Sequence, residues 1–523
     1  MKLIETVVKS EEGDLPFEWE ENRLLAKAAG RITVCRAVYS FAFQREDKLF
    51  INGYQSWTYS PERSVGETDL SMRFCPDFFN KRYGFSSYGD GYFYQKSYRR
   101  GWLHGYSYAY IRRGEEYYFI GSVNEDKAYL RIIFDSVNQT ITLESDCAGR
   151  RVEDGFVLMD YLLLRGSEES VFDRWFDKMQ IPPVRVGKRT GYTSWYRHYQ
   201  NISEDILLND LAGMSNLPIK SDIFQIDDGY ESKVGDWLFV DKEKFPNGLE
   251  PVVKAVKDAK YHPGLWLAPF VCERESELFQ KHPDWLLRDG KGDPVFAGGN
   301  WSGAYALDFK KQEVRDYIEE CISHYKRMGF SFFKLDFLYA VCMVPDENRT
   351  RAEIMADAMK FLRRVCGKAE ILGCGVPLAS AFGRVDYCRI GMDASLSYDG
   401  DLMLRPFHNE RPSTKNTMRN SVYRRPLSGR GFLNDPDVFL LRKKNTKLTE
   451  QEKRSLAIVN ALFGGVLFSS DDFGEYGEAE KDFYAYLVSL QNATLLSVKE
   501  EKKLLTVEFS LGGEKRRERL YFA

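Results

Sequence analysis

The sequence predicts a multi-domain protein of the α/β and β classes, with an amino-terminal β-sandwich, a central (β/α)8 TIM barrel and a small carboxy-terminal β domain. A chain of 523 residues is longer than one compact core normally organises. The first part alternates apolar and polar residues with the period of a strand, whereas the middle part alternates short apolar runs with helix-period segments. These patterns divide the chain into residues 1–170, 171–492 and 493–523.

The amino-terminal sequence pattern predicts short amphipathic strands. Their apolar residues fall into three groups: Ile32 and Val34; Tyr39, Phe41 and Phe43; and Leu130, Ile132 and Phe134, which a short polar turn pairs with Ile141 and Leu143. A strand with one apolar face buries that face against a second sheet, so we expect an antiparallel sandwich.

The central region contains eight strand candidates separated by helical segments. They lie at residues 191–195, 223–227, 264–268, 332–336, 371–375, 387–391, 431–434 and 466–469. The clearest helix precedes the fourth strand, and its apolar residues follow the helical spacing up to a stop at Gly329: Val314, Tyr317, Ile318, Cys321, Ile322, Tyr325 and Met328. Eight parallel strands with helical returns are typical of a (β/α)8 barrel, whose active site lies where the strands end. From about Ala493 the tail alternates again, around a turn at Gly512 and Gly513, and predicts a small β unit.

Composition and charge exclude several classes of function. The net charge is −3 and gives no argument for binding to nucleic acid or to an anionic membrane. No apolar run is long enough for a signal peptide core or a membrane span, which makes a cytoplasmic protein the expectation. Nine cysteines without a CxxC pair suit a reducing compartment. With no phosphate-binding loop, no HExxH motif and only six histidines, we expect neither a cofactor nor a metal site.

Polar and charged side chains follow the predicted barrel strands. The strand ends carry Asp227 and Asp228, Lys334 and Asp336, Cys374, Arg389 and Asp393, then Asn434, Asp435 and Asp437, and finally Ser469 to Asp472. Any one of these acids could instead cap the following helix, but several coincident strand ends favour an active site. Lys334 and Asp336 are two positions apart and lie on one face of their strand, either as catalytic neighbours in the barrel mouth or as a structural ion pair. Paired carboxylates without a metal make a glycosidase the leading reaction class.

A collinear set of motifs resembles the α-galactosidases of glycoside hydrolase family 36. The set comprises GYQSW (53–57), GYTSWY (191–196), FQIDDGYE with a following GDW (224–237), GLWLAPF (264–270), HPDW (282–285), FFKLDFL (332–338), ILGCGVPL (371–378), RIGMD (389–393) and LNDPD (433–437). The resemblance implies an amino-terminal β-supersandwich, a catalytic barrel and a carboxy-terminal β domain. It further implies a retaining exo-α-galactosidase that removes terminal α-linked galactose from oligosaccharides through a covalent galactosyl-enzyme, without a cofactor.

The resemblance also implies a role for each matched residue. Asp336 matches the family's nucleophile and Asp393 its general acid/base. The glycone-binding positions, which hold or enclose the sugar, match Trp57, Trp195, Asp227, Asp228, Trp266, Lys334, Cys374 and Arg389. Asp227 and Asp228 would hold the C4 and C6 hydroxyls, Lys334 and Arg389 would donate to ring hydroxyls, and Cys374 would lie near C2. The tryptophans would form apolar walls, with core packing as the alternative for each.

The chain departs from the family pattern at three places, of which the last concerns the leaving-group side. Tyr192 stands where the family usually has Trp, Met392 precedes the acid/base, and ASLSYDGD follows Asp393 in place of a tryptophan-bearing segment. Other activities therefore stay open: an α-N-acetylgalactosaminidase, a galactosyl transferase on the same scaffold, and, more remotely, a non-catalytic carbohydrate-binding protein. An oligosaccharide is the expected partner in each case, and a homo-oligomer is possible.

Overall fold

The amino-terminal part of the computed structural model, which describes residues 1–408 and 410–523, consists of two antiparallel sheets. The first sheet contains Lys2–Ser10, Gly13–Asp14, Gly30–Ser40, Trp102–Tyr106, Leu130–Asp135, Thr140–Ser145 and Arg151–Val152. The second contains Phe17–Glu20, Arg23–Ala26, Lys48–Ile51, Arg63–Ser64, Tyr108–Arg113, Glu116–Ser122 and Val157–Gly166. Apolar side chains from both sheets, among them Ile132 and Ile120, share one buried cluster, as the predicted sandwich requires.

The predicted hairpin is confirmed in register, because Ile132 pairs with Leu143 and Phe134 with Ile141. Ile32, Val34 and Tyr39 all lie in the single strand Gly30–Ser40, and Phe41 and Phe43 follow it outside the ladder. Val34, grouped with Ile32 on one apolar face, is instead 38% exposed. The pairing with Lys2–Ser10 shifts register between Ile32 and Val34, so that the buried face continues through Cys35 and Ala37.

The central region forms a curled sheet in which every neighbouring pair of strands is parallel. In spatial order its nine strands are Leu433–Asp435, Tyr387–Arg389, Glu370–Gly373, Phe332–Leu335, His262–Leu267, Ile223–Ile226, Arg189–Thr193, Val466–Ser469 and Val438–Phe439. The first and last of these strands are separated in the chain only by Pro436 and Asp437. The two ends of the sheet therefore approach each other, in the strand order expected for the predicted barrel.

Most of the helices lie between these strands in the chain. The α-helices are Asp77–Tyr83, Phe85–Tyr88, Glu168–Met179, Trp195–His198, Glu204–Gly213, Glu250–Asp258, Glu277–Lys281, Gln312–Met328, Arg351–Cys366, Leu378–Ala381, Thr414–Tyr423, Glu450–Phe463 and Glu478–Leu490, with 3-10 turns at Met214–Asn216, Pro283–Trp285, Leu338–Cys342, Arg425–Leu427 and Phe473–Glu475. The predicted helix before the fourth strand is confirmed as Gln312–Met328, and its stop, Gly329, has a φ of 120°. Trp195, expected at a strand end, instead begins the short helix Trp195–His198.

Two smaller sheets complete the fold. Val271–Glu273, Phe296–Gly298 and Ala304–Ala306 form one beside the barrel mouth, and Thr494–Glu501, Leu504–Leu511 and Glu514–Tyr521 form the predicted carboxy-terminal unit. The latter contacts the helix Glu450–Phe463, where the Tyr521 N–H donates to Ser455 Oγ at 2.9 Å.

Division of the chain into domains at 170/171 and 492/493 stays a prediction. Among the described residues, no helix is both long enough and apolar enough to cross a membrane.

Candidate active site

The carboxyl ends of the parallel strands surround a cavity of about 300 Å³. Residues predicted from sequence that line it are Trp57, Trp195, Asp227, Asp228, Trp266, Lys334, Asp336 and Asp393. Because parallel strands end at one edge of their sheet, side chains more than 150 residues apart in sequence converge there. Trp57 joins them from the amino-terminal part of the chain, as expected.

One wall of the cavity centres on an ion pair between Lys334 and Asp227. Lys334 Nζ lies 3.0 Å from Asp227 Oδ2, which also accepts from Gln225 Nε2 at 2.7 Å and from Thr193 Oγ1 at 3.2 Å. Burial lowers the pKa of Lys334, but the negative charges around it, with Asp227 first and Asp336 after it, together more than offset this, so that its pKa lies above the ordinary value. The ion pair expected between Lys334 and Asp336 is thus formed with Asp227 instead, the nearer carboxylate across the barrel mouth.

Asp336 follows directly after the strand Phe332–Leu335 and is held by neutral donors. Its Oδ2 accepts from Trp266 Nε1 at 3.0 Å, and its Oδ1 accepts from the Phe337 N–H at 2.9 Å. Both donors fix the orientation of the carboxylate while leaving its remaining lone pairs free for a ligand. Trp266 is therefore both a wall of the cavity and a hydrogen-bond partner of the predicted nucleophile.

Asp228 occupies the same wall as Asp227 but has different partners. Gln200 Nε2 lies 3.1 Å from both of its carboxylate oxygens, and Trp301 Nε1 donates to Oδ2 at 2.8 Å. Burial raises the pKa of Asp228, and burial next to Asp228 raises the pKa of Glu231 well above its usual range. The adjacent acids Asp227 and Asp228 thus face one cavity with one paired to a cation and the other to neutral donors.

The opposite wall contains Asp393, whose side chain is 39% exposed. Arg389 Nη1 donates to Asp393 Oδ1 at 2.9 Å. The same guanidinium contacts Asp435 at 3.0 Å and Asp437 at 2.9 Å. Burial raises the pKa of Asp437 to about 6, and Tyr196 donates a hydrogen bond to it. Arg389 thus connects the predicted acid/base to two supporting carboxylates.

Two predicted ligand-binding residues, Arg389 and Cys374, lie behind the cavity wall and do not line it. The donors of Arg389 are directed at the three carboxylates just described, because its strand end faces the strand that carries Asp435. Cys374 is covered by Trp57, whose Nε1 donates to the cysteine Sγ at 3.2 Å. Their expected contacts with sugar hydroxyls stay predictions.

Several cavity residues were not predicted from sequence. They are Tyr88, Gln200, Asn300, Trp301, Phe337, His408, Glu410 and Pro412. Most come from loops after the strands or, for Tyr88, from a short amino-terminal helix, where no periodic pattern marks a site. The one available signal was Gly299-Asn300-Trp301, a turn sequence with an aromatic residue. Within the described residues, no cluster of three or more His, Cys, Asp or Glu side chains could hold a metal ion.

A family model described as Melibiase matches residues 192–366, which include Asp227, Asp228, Lys334 and Asp336. The α-galactosidase TtGalA of Thermus thermophilus, solved in complex with p-nitrophenyl α-D-galactopyranoside, has a TM-score of 0.75 and 26% identity, and the alignment covers 100% of this chain and 98% of that one. The chain is similar to α-galactosidases. The family resemblance proposed from the sequence motifs is thereby confirmed.

Curated relatives match the sequence of this chain over shorter segments. α-Galactosidase AgaA of Geobacillus stearothermophilus is 33% identical over 138 residues, which is 25% of this chain and 18% of the relative. An Escherichia coli α-galactosidase is 26% identical over 230 residues, which is 40% of this chain and 29% of the relative. The matched segments thus span less than a third of the length of either relative. The crystal structure of the family 36 enzyme AgaA, with a TM-score of 0.62 and 13% identity over 97% of this chain and 79% of that one, supports the shared fold.

Proposed function

We propose that this protein is a retaining exo-α-galactosidase that hydrolyses terminal α-linked galactose from oligosaccharides. The observation that carries the proposal is the convergence of Asp336 and Asp393 on one cavity with Asp227, Asp228 and Lys334. The similarity to TtGalA over nearly the whole of both chains adds support, because that enzyme was solved with an aryl α-galactoside. The scaffold we propose is a (β/α)8 barrel between an amino-terminal β-supersandwich and a carboxy-terminal β domain.

In the proposed mechanism Asp336 attacks the anomeric carbon and Asp393 protonates the departing oxygen. Trp266 and the Phe337 N–H orient the Asp336 carboxylate, which forms the covalent galactosyl-enzyme. Asp393 then takes a proton from water as the water attacks the same carbon, so that two inversions give net retention. The exposed position of Asp393 suits both halves of this cycle, because leaving group and water reach it from the same opening.

Selectivity for galactose would arise at Asp227 and Asp228. A carboxylate buried with fixed partners accepts charge-assisted bonds from sugar hydroxyls, and a glucoside would move the C4 hydroxyl from axial to equatorial. A site built to bond a hydroxyl rejects an analogue that misplaces it, because the buried acceptor is then left unpaired. Lys334, already bonded to Asp227, would add a donor to the same sugar face.

One observation favours a galactoside over an N-acetylgalactosaminide as the substrate. Trp57 covers Cys374, which the family resemblance implies lies near C2, and with C2 there the indole would leave an N-acetyl group little space.

The test is a panel of 4-nitrophenyl α-glycosides: galactoside, N-acetylgalactosaminide and glucoside. We expect kcat/KM for the galactoside to exceed that for the glucoside by at least about a thousandfold. Asp227→Asn and Asp228→Asn should each reduce this ratio. Similar rates on galactoside and glucoside, or full discrimination in both Asn variants, would contradict the assignment of the two carboxylates.

A further inference from the structure

Glu410 is a fifth carboxylate in the cavity and has no role in the mechanism above. It follows the segment ASLSYDGD (394–401), which departs from the family pattern, and its side chain is 6% exposed. His408, which also lines the cavity, approaches it, with Nδ1 3.6 Å from Glu410 Oε2. Gly89 leaves the necessary space, since a Cβ there would stand 3.0 Å from Glu410 Oε1.

The hydrogen bonds of Glu410 are incomplete within the described part of the chain. The 3.6 Å approach of His408 is too long for a hydrogen bond, and no other described side chain forms an ion pair with this carboxylate. By contrast, each of the other four cavity carboxylates has at least one donor within 3.1 Å: Asp227, Asp228, Asp336 and Asp393. A carboxylate that is nine-tenths buried and lines a cavity takes its donors from what enters that cavity, which is water or a ligand.

The position of Glu410 indicates which part of a ligand would supply the donor. Asp227, Asp228 and Lys334 occupy the wall assigned to the galactosyl ring. Glu410 comes from the segment that continues from Asp393, the proposed proton donor to the leaving oxygen, and the Ser413 N–H bonds back to the Asp393 carbonyl at 2.8 Å. His408 is fixed beside it by stacking on Phe85, with ring centroids 4.7 Å apart.

Resting on the proposed function, we infer that Glu410 is a specificity-determining residue that accepts a hydrogen bond from a hydroxyl group of a saccharide leaving group. The residue selects leaving groups that carry such a hydroxyl and plays no part in bond cleavage. Its contribution is therefore largest for a galactosyl disaccharide and smallest for a galactoside whose leaving group has no hydroxyl beyond the one released.

The test compares two substrates with alkoxide leaving groups, α-galactosyl-(1→6)-glucose and methyl α-galactoside. Glu410→Ala should lower the ratio of their kcat/KM values, disaccharide over methyl galactoside, by about 10- to 100-fold, since a hydrogen bond to a charged acceptor is lost. Glu410→Gln keeps one acceptor oxygen and should lower the ratio less. Asp401→Asn, at an exposed position of the same loop, is the matched control and should leave the ratio at the wild-type value.

An unchanged ratio in Glu410→Ala, with both substrates still turned over, would overturn this inference and leave the proposed function intact. Wild-type inactivity on both galactosides would overturn the proposed function itself, and the inference with it. Because the readout is a ratio measured on one preparation, partial misfolding of a variant changes both rates together and does not imitate the expected effect.

Discussion

Arg424 is fully buried and connects the amino-terminal loop that carries Trp57 to the barrel. It follows the helix Thr414–Tyr423, and its guanidinium donates to acceptors on both sides of the contact: Asn52 Oδ1 at 3.0 Å, Ser56 O at 2.6 Å, Ser60 Oγ at 2.9 Å and Ile390 O at 2.9 Å. None of these partners is a carboxylate, and burial lowers the pKa of Arg424 to about 10. We predict that Arg424→Met weakens the contact between residues 52–60, which include Trp57, and the parallel sheet.

The free energy lost at this contact follows from the buried acceptors that Arg424→Met leaves without a donor. Each buried acceptor without a donor costs about 1–3 kcal/mol. Three acceptors lose the guanidinium as donor, Asn52 Oδ1, Ser56 O and Ile390 O, whereas Ser60 Oγ keeps the Gly53 N–H. Relief of the guanidinium's own desolvation and entry of water offset part of this sum, so we expect a net loss of about 3–5 kcal/mol at the interface. Since Trp57 is adjacent to Ser56, the cavity should lose its amino-terminal wall.

The assay is hydrogen–deuterium exchange over residues 52–60 together with kinetics on 4-nitrophenyl α-galactoside. Arg424→Met should speed exchange of this segment by a factor of about a hundred or more, because the local opening free energy falls by the amount above. KM should rise more than kcat falls, and Arg424→Lys should recover part of both losses. Exposed Arg45→Met is the control. Wild-type exchange and KM in Arg424→Met would refute the reasoning.

Two further changes test other parts of the site and core. Asp393→Ala should slow hydrolysis of methyl α-galactoside far more than that of the activated nitrophenyl galactoside, since only the former needs proton donation, and equal losses would count against the acid/base assignment. Burial raises the pKa of Glu125 to about 7, so the folded protein retains a proton that the unfolded chain loses from about pH 4.5, and stability falls as the pH rises to about 7. Glu125→Gln should gain about 2–3 kcal/mol of unfolding free energy relative to wild type between pH 5 and pH 8 in urea titrations, and a pH-independent difference would disprove this.

Much of the site could be predicted from the sequence because its residues lie where strands end. Asp227 and Asp336 each end a short apolar run, and in a parallel barrel such positions share one edge regardless of their separation in the chain. Trp57 could not be placed by this rule, because it belongs to another part of the chain, and only the family resemblance linked it to the cavity.

The remaining site residues depend on tertiary contacts that no local pattern encodes. Trp301 and Glu410 lie in irregular loops, and their burial is decided by neighbours such as Asp228 and Gly89. Period-2 reasoning placed Lys334 and Asp336 on one face of a strand, but the choice of Asp227 as the partner of the lysine is set by the packing of the neighbouring strands.

The most direct test of the central claim is to trap the covalent intermediate on Asp336. An activated 5-fluoro-α-galactosyl fluoride should inactivate the wild-type protein with time and add the mass of one fluorogalactosyl group. Peptide mapping should place that group on Asp336, and Asp336→Ala should neither acquire the label nor hydrolyse 4-nitrophenyl α-galactoside. Labelling of another carboxylate, or turnover at the wild-type rate by Asp336→Ala, would contradict the account.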